Sequence, residues 1–160
     1  MNPEELSRSG TEHGEQMALF AWANMAQLCG FEMANNMESY SRFQKIGNIY
    51  PVPELKWLHA IPNAGARGNL IARSQLKAEG VKAGIADIFL PVHRDLRSFG
   101  FDIKEFNGLY IELKRANGKM SDISPEQREF GQFVKTQGYE WFAAFGWREA
   151  AQLIQTYLTR

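Results

Sequence analysis

Two apolar runs that each carry a charge restrict this chain more than any other part of its sequence. The first is Ile88-Phe89-Leu90, directly after Asp87; the second is Leu109 to Leu113, with Glu112 inside it and Lys114 following. Runs of this kind read as buried strands. Side chains on an extended segment alternate faces, so Glu112 and Lys114 project to one side while Ile111 and Leu113 project to the other. One face enters the core; the other carries charges that need a partner or a task, because an unpaired buried charge is costly. With the Asp87 strand alongside, two carboxylates and an ammonium converge. Two hard oxygen donors suit Mg²⁺ or Mn²⁺. An amine beside them either has its pKa lowered, and can act as a base, or orients an attacking water; the residues leave both open.

Glu-x-Lys on its own is a weak signal. It is a common solvated pair worth at most about 1 kcal/mol, and the chain repeats it at Glu54-Leu55-Lys56, in a Pro-flanked connection after Pro53. Context separates the two. Asp87 follows Gly84, where a backbone can approach a ligand closely, and precedes a run that should be buried.

At 160 residues the chain reads as one domain, residues 11–160, behind a polar lead-in, Met1 to Gly10, expected to be frayed and flexible. Hydrophobic residues at 44% and charged residues at 22% describe an ordinary globule. Lys plus Arg equals Asp plus Glu at 18 each, so any affinity for a polyanion must come from local clusters. Cys29 is the single cysteine, which excludes an internal disulfide and a cysteine-rich zinc module; His13, His59 and His93 lack ligand spacing. No apolar stretch reaches the ~20 residues of a membrane helix and no signal-peptide core is present, so no membrane association and a cytoplasmic location are expected.

Periodicity and capping signals order the elements. Thr11 to about Cys29 reads as a mostly buried helix ended by Gly30, and residues 31–56 as a short strand or a long connection. Trp57 to Ile61 reads as a strand closed by a turn at Pro62-Asn63-Ala64-Gly65, and Arg67 to Glu79 as a helix. The Asp87 strand spans about Ala86 to Val92, residues 93–107 form a polar excursion with hairpin character, and Gly108 to Arg115 is the Glu112 strand. Ser124-Pro125-Glu126-Gln127 is a capping box with Pro at the first helical position, opening a helix to Gln137. A strand over Tyr139 to Phe145 and a helix over Trp147 to Leu158 follow. This order argues a three-layer α/β domain around a mixed sheet.

The arrangement resembles the PD-(D/E)XK nuclease superfamily, and within it the VRR-NUC family. The resemblance rests on five segments in order across residues 11 to 150: Thr11 to Gln16, His59 to Asn63, Leu76 to Leu90, Gly108 to Arg115, and Ser124 to Gln127. It implies a restriction-endonuclease-like fold with a central mixed sheet flanked by helices. It implies that Asp87 and Glu112 are metal ligands, with the Leu113 carbonyl as a third, that Lys114 is the catalytic lysine, and that Gln127 stands near the site. The superfamily's first helix often supplies another acid; Glu15 is favoured, because its face continues through Leu19 and Trp22, over Glu12. Ala86 stands where the superfamily has Pro.

The activity implied is Mg²⁺-dependent hydrolysis of DNA, with Mn²⁺ substituting, by a structure-specific endonuclease acting on junctions or flaps in replication, recombination or repair. Products would carry 5′-phosphate and 3′-hydroxyl ends, and a homodimer is expected if the substrate is a four-way junction. Arg67, Arg73, Lys77, Lys82, Arg115 and Lys119 are the candidate phosphate contacts. No base-reading module is present, which points to recognition of DNA shape. No Gly-Lys-Ser/Thr follows Gly65-Ala66-Arg67-Gly68, so no nucleotide cofactor is expected. The alternatives are an exonuclease, a restriction-type duplex cutter, or a non-catalytic DNA-binding module on the same fold.

Overall fold

The computed structural model describes residues 2–36, 49–62, 70–96 and 105–160, with the backbone alone for residues 70–73. Its centre is a four-stranded sheet in the order β1-β2-β5-β6, built from β1 (His59–Ala60), β2 (Ile88–Leu90), β5 (Leu109–Lys114) and β6 (Glu140–Phe145). β1, β2 and β5 are antiparallel neighbours, whereas β5 and β6 are parallel, joined through helix α5 (Pro125–Thr136). Ile88 pairs with Ile111 and Leu90 with Leu109, which puts the aliphatic side of both strands on one face.

That face is the core. Helix α2 (Glu12–Cys29) starts where Thr11 accepts a hydrogen bond from the Gly14 amide and stops at Gly30, whose φ of +90° no longer continues the helix. Its Ala18, Leu19, Trp22, Ala23 and Ala26 are buried, and small alanines let the helix come close to the sheet. Helix α6 (Trp147–Thr159) adds Ala150, Ala151, Ile154 and Tyr157 to the same cluster, with Leu109, Ile111 and Leu113 beneath. Helix α5 covers the opposite face: Phe130 meets the Tyr110 ring edge-on at 5.2 Å, and Gly131 lies against Trp141. The result is the expected helix-sheet-helix sandwich.

Several local expectations change. The lead-in carries a short helix: Asn2 caps α1 (Pro3–Ser7), Pro3 is buried and Leu6 packs on the core. A capped first turn with two apolar anchors can hold so short a helix against α2. Within residues 31–56 the described residues form α3 (Phe31–Asn35) and a 3₁₀ turn (Pro53–Trp57), not a strand. Proline at the first position favours that turn, and it shortens the strand expected from Trp57. Helix α4 (Leu70–Ala78) ends one residue before the expected Glu79; the expected start at Arg67 lies outside the described residues, as does most of the Pro62 to Gly65 turn. Two arms of the excursion pair antiparallel, β3 (Arg94–Asp95) with β4 (Glu105–Phe106). Among the described residues no helix is long and apolar enough to cross a membrane.

A side chain at Gly131 would have no room, since its Cβ would stand 2.6 Å from the Trp141 ring. Alanine is the better helix former by about 1 kcal/mol, but overpacking costs about 1–3 kcal/mol. Gly131→Ala is therefore expected to lower stability in urea unfolding despite its helix propensity; an increase would show that α5 and β6 separate freely.

Candidate active site

Alternation along β5 turns Tyr110, Glu112 and Lys114 away from the core and toward α5. β2 brings Asp87 to the same face, one residue before Ile88, which pairs with Ile111. Asp87 is fixed from both sides. Its carbonyl accepts from the Ile61 amide at 2.7 Å, extending the β1 pairing, and its carboxylate Oδ2 accepts from the Leu113 amide at 2.9 Å. The Leu113 contact crosses from β2 to the functional end of β5, so the two strands are locked where the charges meet.

Glu112 is fully buried, and Lys114 is 8% exposed. Lys114 Nζ donates to Glu112 Oε1 at 2.8 Å and stands 3.9 Å from Glu12 Oε1. The same Glu112 oxygen accepts from Gln127 Nε2. The orientation of that amide follows from the helix cap: Gln127 Oε1 accepts from the Ser124 amide at 2.8 Å, while Ser124 Oγ accepts from the Gln127 amide at 3.2 Å. With its oxygen committed to Ser124, the amide presents its NH₂ to Glu112. Gln127 thus serves the cap and the cluster at once.

The other Glu112 oxygen, Oε2, is buried and has no hydrogen-bond partner. Burial, then the negative charge of Asp87, push the Glu112 carboxyl up to about 8 against the pull of Lys114. For Lys114, burial alone would lower the pKa. The hydrogen bond and charge of Glu112, with Glu12 and Asp87 behind them, outweigh it and hold the group above its ordinary value, as an ammonium.

An unpartnered buried oxygen beside a second carboxylate is a setting that a hard divalent cation relieves. Among the described residues no three His, Cys, Asp or Glu side chains form a metal-binding group. Two carboxylates, with carbonyl, water and phosphate oxygens for the rest, nonetheless match what Mg²⁺ ordinarily takes from a protein. The donor set fits.

The structure brings together Asp87, Glu112, Lys114, Gln127 and the Leu113 backbone, and adds Glu12 at the edge. It does not bring Glu15 to them. Glu15 is buried at 3% exposure, and its carboxylate accepts from the Trp147 amide at 2.9 Å and the Ala116 amide at 3.4 Å. The favoured first-helix acid is thus engaged with the start of α6 and the exit of β5. Spacing on a helix groups side chains but does not fix how the helix is rotated against the sheet.

Gly84 is a point of close approach within the protein itself. At φ +85° it passes Glu126 so closely that a Cβ would lie 2.7 Å from the Glu126 Cβ, so its close approach is to the first turn of α5. Lys77 and Lys82 are exposed on the end of α4 and the turn after it, and Arg115 and Lys119 are exposed beyond β5. Arg67 and the Arg73 side chain lie outside the described residues.

Three residues around the cluster were not singled out by the sequence. Phe89 and Tyr110 stack at 4.3 Å beside the acids, on the face that β5 alternation assigns to Tyr110, so period two could have found them. Arg128 donates to the carbonyls of Met120 and Ile123 and holds the 3₁₀ turn (Met120–Asp122) that follows Lys119. No local pattern announces such a bond.

Neither a family model nor a curated protein matches the sequence. Among solved structures, a VRR_NUC domain protein is similar to this chain with a TM-score of 0.58 and 22% sequence identity, over 93% of this chain and 88% of that one. The chain therefore shares the fold of that VRR_NUC domain protein, the restriction-endonuclease-like arrangement of a mixed sheet between helices.

Proposed function

We propose that the chain is a member of the VRR-NUC family and a metal-dependent, structure-specific DNA endonuclease that hydrolyses phosphodiester bonds in branched DNA. The observation that carries this reading is the convergence of Asp87, Glu112 and Lys114 on one sheet face, with a Glu112 oxygen buried and unpartnered. Asp87 and Glu112 would hold Mg²⁺ or Mn²⁺, with the Leu113 carbonyl completing the protein's share. When bound, the ion supplies Lewis-acid polarisation of the phosphodiester. Lys114, held as an ammonium by its anionic neighbours, donates a hydrogen bond that orients the attacking water. Gln127 keeps Glu112 from rotating, and Glu12 is the first-helix acid nearest the lysine.

Lys77, Lys82, Arg115 and Lys119 would meet phosphates on either side of the cluster. Such contacts position a duplex without reading its sequence. The absence of a base-reading motif and the family resemblance favour DNA shape as the feature recognised, and a two-fold assembly would suit a four-way junction.

Purified protein is expected to cut flapped or four-way DNA with Mg²⁺ or Mn²⁺ and to lose activity with chelator. Asp87→Asn and Lys114→Ala should each reduce the cleavage rate by at least about 100-fold with the fold retained by circular dichroism. Full activity in either variant would remove that residue from the site. Comparing linear, nicked, flapped and four-way substrates separates this reading from an exonuclease or a cutter of plain duplex, and no cleavage of any of them would leave a binding module.

Protonation offers a second check. The ordinary carboxyl value of 4.5 applies to the unfolded chain, and the folded value is about 8, so within that window the folded protein retains a proton that the unfolded chain has lost. Stability should therefore fall as pH rises through the window. The melting temperature of chelator-treated protein is expected to decline more steeply with pH than that of Glu112→Gln, and added Mg²⁺ should recover the loss only where Glu112 is present. Identical pH slopes for the two proteins would contradict the buried acid.

A further inference from the structure

Glu15 is a buried acid that the proposed chemistry does not use. Its carboxylate accepts from two backbone amides that belong to different elements: Trp147 opens α6, and Ala116 lies two residues beyond Lys114. The residue between β6 and α6, Gly146, donates its own amide to the Lys114 carbonyl at 2.8 Å. One turn before Glu15 on the same helix, Glu12 stands within 3.9 Å of Lys114 Nζ. A single carboxylate thus joins α2, the exit of β5 and the start of α6 around the backbone of the lysine.

Resting on the nuclease reading, we propose that Glu15 is a positioning residue: it clamps the strand end that carries Lys114 to the helix that carries Glu12, and so fixes the ammonium over the Asp87–Glu112 pair without itself touching a metal or DNA. The first amides of a helix have no partner within it, and an amide just past a strand end has none in the ladder. A carboxylate with two oxygens can take one of each, and the partial positive charge at the start of α6 favours an anion there. Glutamine at this position keeps the reach but offers one acceptor, so its NH₂ would face a backbone N–H. A displacement of a catalytic group by about 1 Å is enough to slow a reaction about 100-fold.

The clamp has a readout that needs no activity. In the wild-type protein, the amides of Ala116 and Trp147 should exchange with deuterium as slowly as those within β5; rapid exchange at both overturns the proposal. The catalytic part is tested by comparing Glu15→Gln with Glu149→Gln, since Glu149 accepts from the Phe145 amide at 2.7 Å in the same turn and so binds the end of β6 rather than the exit of β5. On the DNA that the wild type cuts, Glu15→Gln is expected to lower kcat by about 10- to 100-fold with KM near the wild-type value, while Glu149→Gln leaves both unchanged. Equal kinetic losses in the two variants, or none in Glu15→Gln, overturn positioning in favour of a structural cap. Calorimetric Mg²⁺ affinity should persist in Glu15→Gln and fail in Asp87→Asn; loss in both would make Glu15 a ligand and overturn the proposal. If the wild type cuts nothing, the nuclease reading falls, and the exchange result still decides whether the clamp exists.

Discussion

A carboxylate with no solvent exposure, placed against a second carboxylate, sets the terms for everything around it. Glu112 cannot be stabilised by water, so the fold must surround it with donors. Lys114 and Gln127 supply two on one oxygen, and the Leu113 amide holds the Asp87 carboxylate. Each of these partners comes from a different piece of chain: the same strand, the helix that follows it, and the strand before it. The mixed sheet is what allows this. β2 enters antiparallel and delivers Asp87 at its start, while the parallel step from β5 to β6 requires a crossover, and that crossover is the helix that carries Gln127.

The aliphatic sides of the same strands are equally committed. Ile88, Leu90, Leu109, Ile111 and Leu113 face α2 and α6, so a shift of register by one residue would put leucines at the cluster and charges in the core. Register is therefore specified twice, by burial on one side and by ion pairing on the other.

Much of this was legible in the sequence where a local pattern carries its own physics. Alternation around Glu112 gave the faces of β5, Thr11 and Gly30 bounded α2, and the Ser124 to Gln127 box located α5 to within a residue. What could not be read depends on distant contacts. Whether Glu12 or Glu15 looks toward the lysine is decided by the rotation of α2 on the sheet, which in turn depends on how Trp22 packs and donates to Asn35. The 3₁₀ turn at Pro53 and the short α1 have local proline and cap signals, but it is packing against α2 that holds such short elements. Gly84 was correctly marked as a place of close approach, but the approaching group is the Glu126 backbone and Cβ.

The Gln127 amide belongs to two structures at once, closing the first turn of α5 with its oxygen and steadying Glu112 with its nitrogen. Fraying of that turn would release the acid's donor in the same motion, and a glutamic acid at this position would close the turn yet repel the cluster. The first turn of the helix and the donor to the buried acid are in this way held by one side chain.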